Sequence, residues 1–190
     1  MSRVLPILFN TDMVRAILDG RKTVTRRLIN PQPTGSWQDN IELMSRAPYQ
    51  QGDILYVRET WKKAHNGYYY YEDWQKDDIV DVTKWKPSIH MPKEAARIWL
   101  KVKDVRVERL QEITVEDVQH EGISALTDGI FERFKNLWNS TIKKADIDLY
   151  GWDANPWVWV IEFERCEKPN ESPYAWNDAI NKIVGGAICD

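Results

Sequence analysis

Gly20-Arg21-Lys22-Thr23-Val24-Thr25-Arg26-Arg27 places four basic side chains directly behind a segment of helical spacing. In that segment, residues 12–18, Met13, Val14, Ile17 and Leu18 recur at the interval of one helix face. Asn10 or Thr11 can cap its start, and Gly20 is the natural left-handed stop. A basic run after a helix is often a solvated turn. It can also face an anion or a polar ligand. Lys beside Thr adds a chemical possibility, because a threonine hydroxyl is a weak nucleophile until a base takes its proton. Lysine serves as that base only if its pKa falls well below about 10.4. Burial, or positive neighbours such as Arg21, Arg26 and Arg27, would lower it. A regular strand points Lys22 and Thr25 to opposite faces, so they meet only if the backbone turns between them.

Outward from this stretch the chain reads as strands at both ends with short helices between. Residues 4–9 are a short apolar strand. Residues 30–50, with Pro31, Pro33, Gly35 and Pro48, read as a surface loop. Gly52-Asp53 is a turn before a strand over 54–61. Residues 62–95 are polar and aromatic, and Tyr68 to Tyr71 read as part of an inserted hairpin. Ile98, Leu100 and Val102 alternate with Trp99 and Lys101, and Val105 and Val107 resume after Lys103-Asp104. That pattern predicts a long strand with a bulge or bend near Asp104. Thr114 to Asp117 opens a capped helix that runs to Glu121 and stops at Gly122. A second helix over 131–142 places Phe131, Phe134, Leu137 and Trp138 on one side. Residues 157–165 form the last strand. The expected fold is α+β: a mixed β-barrel of five or six strands, closed by the N-terminal and C-terminal strands, with short helices packed outside. Residues 1–168 form one domain with insertions near 30–50 and 62–95. Residues 169–190 are a peripheral tail that carries a helical turn or two around 176–184.

Composition narrows the function. Hydrophobic residues make up 43% and charged residues 29% of 190, as in a soluble globular protein. No apolar run approaches the roughly 20 residues of a membrane helix, and the start is too soon polar for a secretory signal. The expected location is cytoplasmic, with no membrane partner. Cys166 and Cys189 read as free thiols. His65, His90 and His120 are scattered, so neither metal nor other cofactor is expected. A net charge of −3 lacks the basic excess that duplex DNA binders show. It fits a small ligand or a short single-stranded RNA held by a local basic patch. The 10 tryptophans are packing residues for the most part, and one or two can stack on a base.

Glu121 closes the short helix. By spacing alone it is a surface carboxylate, or an acid–base group if it packs against the lysine. At this point a family resemblance enters. Gly20 to Arg27 matches the G-x-K-x-x-T-x-R pattern of ASCH domains, which belong to the PUA-like barrels. Gly52-Asp53-Ile54-Leu55-Tyr56-Val57-Arg58-Glu59-Thr60-Trp61 resembles the family's GD-x-L-x-V-x-E strand. Leu110-Gln111-Glu112-Ile113-Thr114 through Glu121-Gly122 resembles its L-x-x-I-T…E-G helix. Asn155 to Phe163 is similar to the closing strand of larger bacterial and phage members. The four lie in the family's order across about residues 4–165.

The resemblance implies a PUA-like/ASCH fold and an amidohydrolase that removes the acetyl group of N4-acetylcytidine or a related modified nucleoside. The implied catalytic set is Lys22, Thr25 and Glu121, without metal. Arg21, Arg27, Arg58, Glu59, Trp61, Trp85 and His90 are the expected substrate contacts, and a monomer or weak dimer is the expected state. Other ASCH proteins are described as RNA-binding or RNA-cleaving. The basic, aromatic segment from Arg58 to Arg97 favours that alternative, a module that holds single-stranded RNA or a modified base without hydrolysing an amide.

Overall fold

The computed structural model describes residues 2–34, 45–65, 67–73, 84–124 and 129–169. The expected tail after 169, Cys189, residues 35–44 of the expected 30–50 loop, and residues 66 and 74–83 of the expected 62–95 insertion lie outside the described residues. The elements in order are β1 (Val4–Leu8), α1 (Thr11–Leu18), β2 (Val24–Leu28), β3 (Ile54–Arg58), β4 (Trp61–Ala64), β5 (Gly67–Tyr70), β6 (Trp99–Arg109), α2 (Val115–His120), α3 (Ile130–Thr141), α4 (Ile147–Tyr150) and β7 (Trp157–Cys166). Five strands form one sheet in the order β1-β3-β6-β7-β2, and β4 and β5 form a separate hairpin. The β1–β3 pair is parallel and the other ladders are antiparallel.

Local signals set the boundaries. Asn10 is the cap of α1, its side chain accepting from the Met13 N–H at 2.9 Å. Gly20, at φ +74°, ends that helix turn. Thr114 caps α2 in a reciprocal box with Asp117. β6 slips register between Val102 and Asp104. β6 pairs with β3 at its start and with β7 along its length.

β7 decides the layering. Trp159, Ile161 and Phe163 enter one core with Val14 and Ile17 of α1. Val158 and Val160 enter another with Val118 of α2 and Phe134 and Trp138 of α3. Successive side chains leave opposite faces of a strand, so a continuous apolar run needs cover on both. Burying each large side chain contributes about 1.5–3 kcal/mol. The helices therefore pack on opposite faces of the sheet.

Two expectations change. No ladder joins the first and last strands: β7 is interior, and the edges are β1 and β2. β2 takes the edge because it pairs along β7 over residues 24–28. The edges still approach, since Arg27 of β2 donates to the Leu8 carbonyl of β1 at 2.7 Å. The strand expected over 54–61 also breaks. β3 ends at Arg58, and Trp61 begins the separate β4–β5 hairpin, against which a core of Trp61, Met91, Ala95, Ala96 and Trp99 packs. No helix among the described residues is long and apolar enough to cross a membrane.

Candidate active site

The turn after α1 and the end of α2 are stitched together by backbone. The N–H groups of Arg21 and Lys22 both donate to the Ala16 carbonyl, at 2.8 and 2.9 Å, and Thr23 N–H donates to the His120 carbonyl at 2.9 Å. Lys22 and Glu121 form an isolated antiparallel bridge. The approach requires glycine at 122. Its φ is +96°, and a Cβ there would lie 2.6 Å from Ala16 Cβ and 3.1 Å from Lys22 Cβ. Lys22 thus precedes the strand rather than belonging to it, which frees it from the alternation that governs Thr25.

The Lys22 side chain is 0% exposed and that of Glu121 is 4% exposed. Lys22 Nζ donates to Glu121 Oε2 at 2.5 Å, to the Val24 carbonyl at 2.8 Å and to the Glu121 carbonyl at 3.1 Å. Burial pulls its pKa down from 10.5. The Glu121 charge and hydrogen bond push back, and Arg27 and Arg26 add to the lowering; the balance is a lowered pKa.

Past this point strand alternation sorts the side chains. Thr25 and Arg27 lie opposite Ile161 and Trp159, on the α1 face. Arg26 lies on the α2 face. Its Nη2 is 3.1 Å from Glu108 and 3.4 Å from Asp117, and its Nη1 is 3.4 Å from Glu121 Oε1. Arg26 Nε is buried without a hydrogen-bond partner. Arg106 joins this network through Glu108 at 2.6 Å. Sequence reasoning treated Arg26 only as a source of nearby charge. The signal for more was its place one residue after Thr25, where the pleat had to send it to the other face.

Two cavities share a lining residue here. One, of about 30 Å³, is lined by Thr25, Arg26, Arg27 and Glu121 with Met13 and the Phe134, Leu137, Trp138 and Thr141 side of α3. The other, of about 480 Å³, runs along the seam of β1 and β2 and is lined by Pro6, Leu8, Arg27, Arg46, Tyr49, Arg58 and Trp159, among others. Arg27 lines both. Burial lowers its pKa against the opposing pull of Tyr49 and Glu121. Tyr49 and Arg46 are cleft residues that the sequence reading missed, since a Pro-rich loop carries no periodicity to mark them.

The structure brings Lys22 into contact with Glu121, sets Thr25 and Glu121 around one small cavity, and sets Arg27 and Arg58 around the larger cleft. The other expected substrate contacts lie elsewhere. Arg21 is exposed and bonds Asp19 at 2.8 Å and the Gly122 carbonyl at 2.5 Å. Glu59 is buried and accepts two bonds from Arg97, each 2.9 Å. Burial raises the pKa of Glu59, against Arg97. Trp61 is 5% exposed, with its ring against Tyr68 at 5.7 Å and Lys86 Nζ at 5.1 Å. It packs in the core beside the β4–β5 hairpin rather than lining either cavity. Trp85 packs edge-on against Tyr71 at 5.4 Å. His90 is exposed in a short helical turn. Neither lines the two cavities.

No family model and no curated protein matches the chain. The chain is similar to a solved protein from Enterococcus faecalis described under family-model DUF984, at 11% identity and a TM-score of 0.48, covering 90% of this chain and 84% of that one. It is similar to an ASCH domain from Lactobacillus crispatus, at 10% identity and a TM-score of 0.46, over 86% of this chain and 79% of that one. A Pyrococcus furiosus protein solved by NMR is similar at 14% identity and a TM-score of 0.37, over 88% and 100%.

Proposed function

We propose that the chain is an ASCH-type amide hydrolase that removes a small acyl group from the N4-amine of an acylated cytidine or a related modified nucleoside. The observation that carries this reading is a buried Lys22–Glu121 pair whose carboxylate lines the same cavity as Thr25. Thr25 Oγ attacks the acyl carbon while Glu121 accepts the hydroxyl proton. The C–N4 bond then breaks as Glu121 returns that proton to the leaving amine. Water hydrolyses the threonyl ester, giving the carboxylic acid and restoring the hydroxyl. Lys22 does not line the cavity, so it acts through Glu121 as a positioning residue. Arg26 and Arg27 are the cations lining the cavity that can answer negative charge on the carbonyl oxygen.

The volumes are consistent with this division. The cavity of Thr25 and Glu121, about 30 Å³, is far smaller than the cleft of about 480 Å³, so the acyl group is assigned to the cavity and the pyrimidine to the cleft. The test is incubation with N4-acetylcytidine and chromatography for cytidine. Cytidine and acetate should accumulate with the native chain and not with Glu121→Gln. No cytidine from a folded native chain refutes the hydrolase.

The cleft itself favours a second reading, a module that holds a modified base or single-stranded RNA without chemistry. Arg27 and Arg58 would supply phosphate contacts. Burial of Trp61 weakens that reading by removing one stacking platform. Tight ligand binding without turnover would decide for it.

A further inference from the structure

The half-buried arginines of this chain are not all treated alike. Arg97 is met by Glu59 and Asp73, and Arg106 by Glu108. In the seam between β1 and β2 the pattern differs. Arg27 Nη2 donates to the Leu8 carbonyl at 2.7 Å, and Arg58 Nε donates to the Met91 carbonyl at 2.7 Å. Each carbonyl orients a guanidinium without neutralising it. Among the described residues neither arginine forms an ion pair with a carboxylate, and the two terminal nitrogens of Arg58 have no acceptor. Phe9 lies under Arg27, 5.2 Å from ring centroid to guanidinium carbon.

Two anchored cations, neither ion-paired with a carboxylate among the described residues, lie on the walls of one cleft of about 480 Å³ and can take an anion. The cleft falls within the range of about 300–1,000 Å³ usual for small-molecule sites. Its walls also hold the aromatic side chains of Tyr49 and Trp159. We infer that this cleft binds the phosphate ester of a nucleotide, so that the substrate is a phosphorylated nucleoside or a single-stranded nucleic acid rather than a free nucleoside. The inference rests on the reading of the substrate as a modified nucleoside. The planar fork of Arg58, held by its Nε, is free to give two parallel N–H bonds to two phosphate oxygens. Arg27, which lines both cavities, joins the phosphate-binding cleft to the cavity of Thr25 and Glu121.

Calorimetry with cytidine, cytidine 5′-monophosphate, the dinucleotide CpC and inorganic phosphate tests this. The monophosphate should bind about tenfold or more tighter than cytidine, the equivalent of one charged hydrogen bond. The gain should shrink with added salt, vanish in Arg58→Ala, and return only in part in Arg58→Lys, because an ammonium lacks the fork. CpC tighter than the monophosphate assigns the phosphate to a strand; the reverse assigns it to a mononucleotide. Equal affinity for cytidine and its monophosphate overturns the inference. So does inorganic phosphate binding as tightly as the nucleotide. Should Arg58→Ala fail to fold, the ligand comparison and salt dependence of the native chain carry the test. Failure here is separable from failure of the hydrolase. Monophosphate preference without deacetylation removes the hydrolase alone. Deacetylation of N4-acetylcytidine and of its 5′-monophosphate with equal kcat/KM removes the phosphate site alone.

Discussion

Replacing Lys22 by methionine keeps an unbranched stem of similar volume and deletes the ammonium, so the loss falls on polar contacts rather than on packing. Glu121 Oε2 loses its partner at 2.5 Å, and the Val24 and Glu121 carbonyls lose donors at 2.8 and 3.1 Å. Glu121, 4% exposed, keeps only Arg26 Nη1 at 3.4 Å. Removing one member of a buried ion pair costs about 3–5 kcal/mol. For a chain of this length that lowers Tm by roughly 6–20 °C. Glu121→Gln removes the other charge. In the double variant Lys22→Met/Glu121→Gln no charge is left unanswered by its mate, so the destabilisation should fall short of the sum of the singles by about 0.5–3 kcal/mol. Urea unfolding of the four proteins reads this cycle.

A pH series adds a sign. Burial holds the folded Lys22 pKa below 10.5, so between the two values the unfolded chain binds more protons than the folded one. The native chain should therefore gain stability relative to Lys22→Met as pH rises through the window below 10.5. Additive singles, together with a Lys22→Met midpoint equal to that of the native chain, would refute the buried pair as described.

The other expectations concern chemistry, backbone and acid stability. Thr25→Val should lower deacetylation by about 10²–10⁴-fold while Thr25→Ser retains turnover, read by chromatography of cytidine; equal rates for the two variants would remove the hydroxyl from the mechanism. Gly122→Ala should cost about 2–5 kcal/mol, from positive φ and the contact with Ala16 together. Adding Ala16→Gly should recover the contact part and not the φ part, by denaturant midpoints. Burial alone would raise the Asp53 pKa, but hydrogen bonds from Arg3 and the Gln50 N–H bring it below 3.8. Its stabilisation is therefore full above 3.8 and lost as pH falls through the folded value. Asp53→Asn should flatten the acid limb of the stability curve.

What the sequence made legible follows from the range of the forces involved. The α1 cap, the Thr114 box and the bulge near Asp104 are local signals, written within a few residues of where they act. The bulge was readable because Ile98, Leu100 and Val102 keep one phase and Val105 and Val107 keep the other. The motif residues Lys22, Thr25 and Glu121 were nameable by pattern, but a contact spanning 99 positions is not encoded in spacing. The edge position of β2 likewise depends on its ladder with β7, far along the chain. Trp61 was ambiguous for a different reason. A large aromatic serves a core and a stacking platform equally well, and only its neighbours Met91, Ala95 and Trp99 separate the two. Glu59 sat in a motif-like strand, yet its partner Arg97 lies beyond the whole insertion.

Arg26 and Arg27 show why a total charge says little about a site. They are adjacent and chemically identical, yet the pleat of β2 sends them to opposite faces. On the α2 face Arg26 gathers Glu108, Asp117 and Glu121 around itself, so three of the carboxylates that make the chain acidic lie around a buried cation. On the α1 face Arg27 shares a cleft with Arg58, and among the described residues each donates to a backbone carbonyl rather than to a carboxylate. A chain of net charge −3 thus places in one seam two arginines that form no carboxylate ion pair among the described residues. Duplex DNA binding takes several phosphate contacts spread along a groove. If the cleft takes a phosphate ester as proposed, a nucleotide or a short single strand should bind more tightly than duplex DNA at physiological salt, and the reverse order in a titration would refute that.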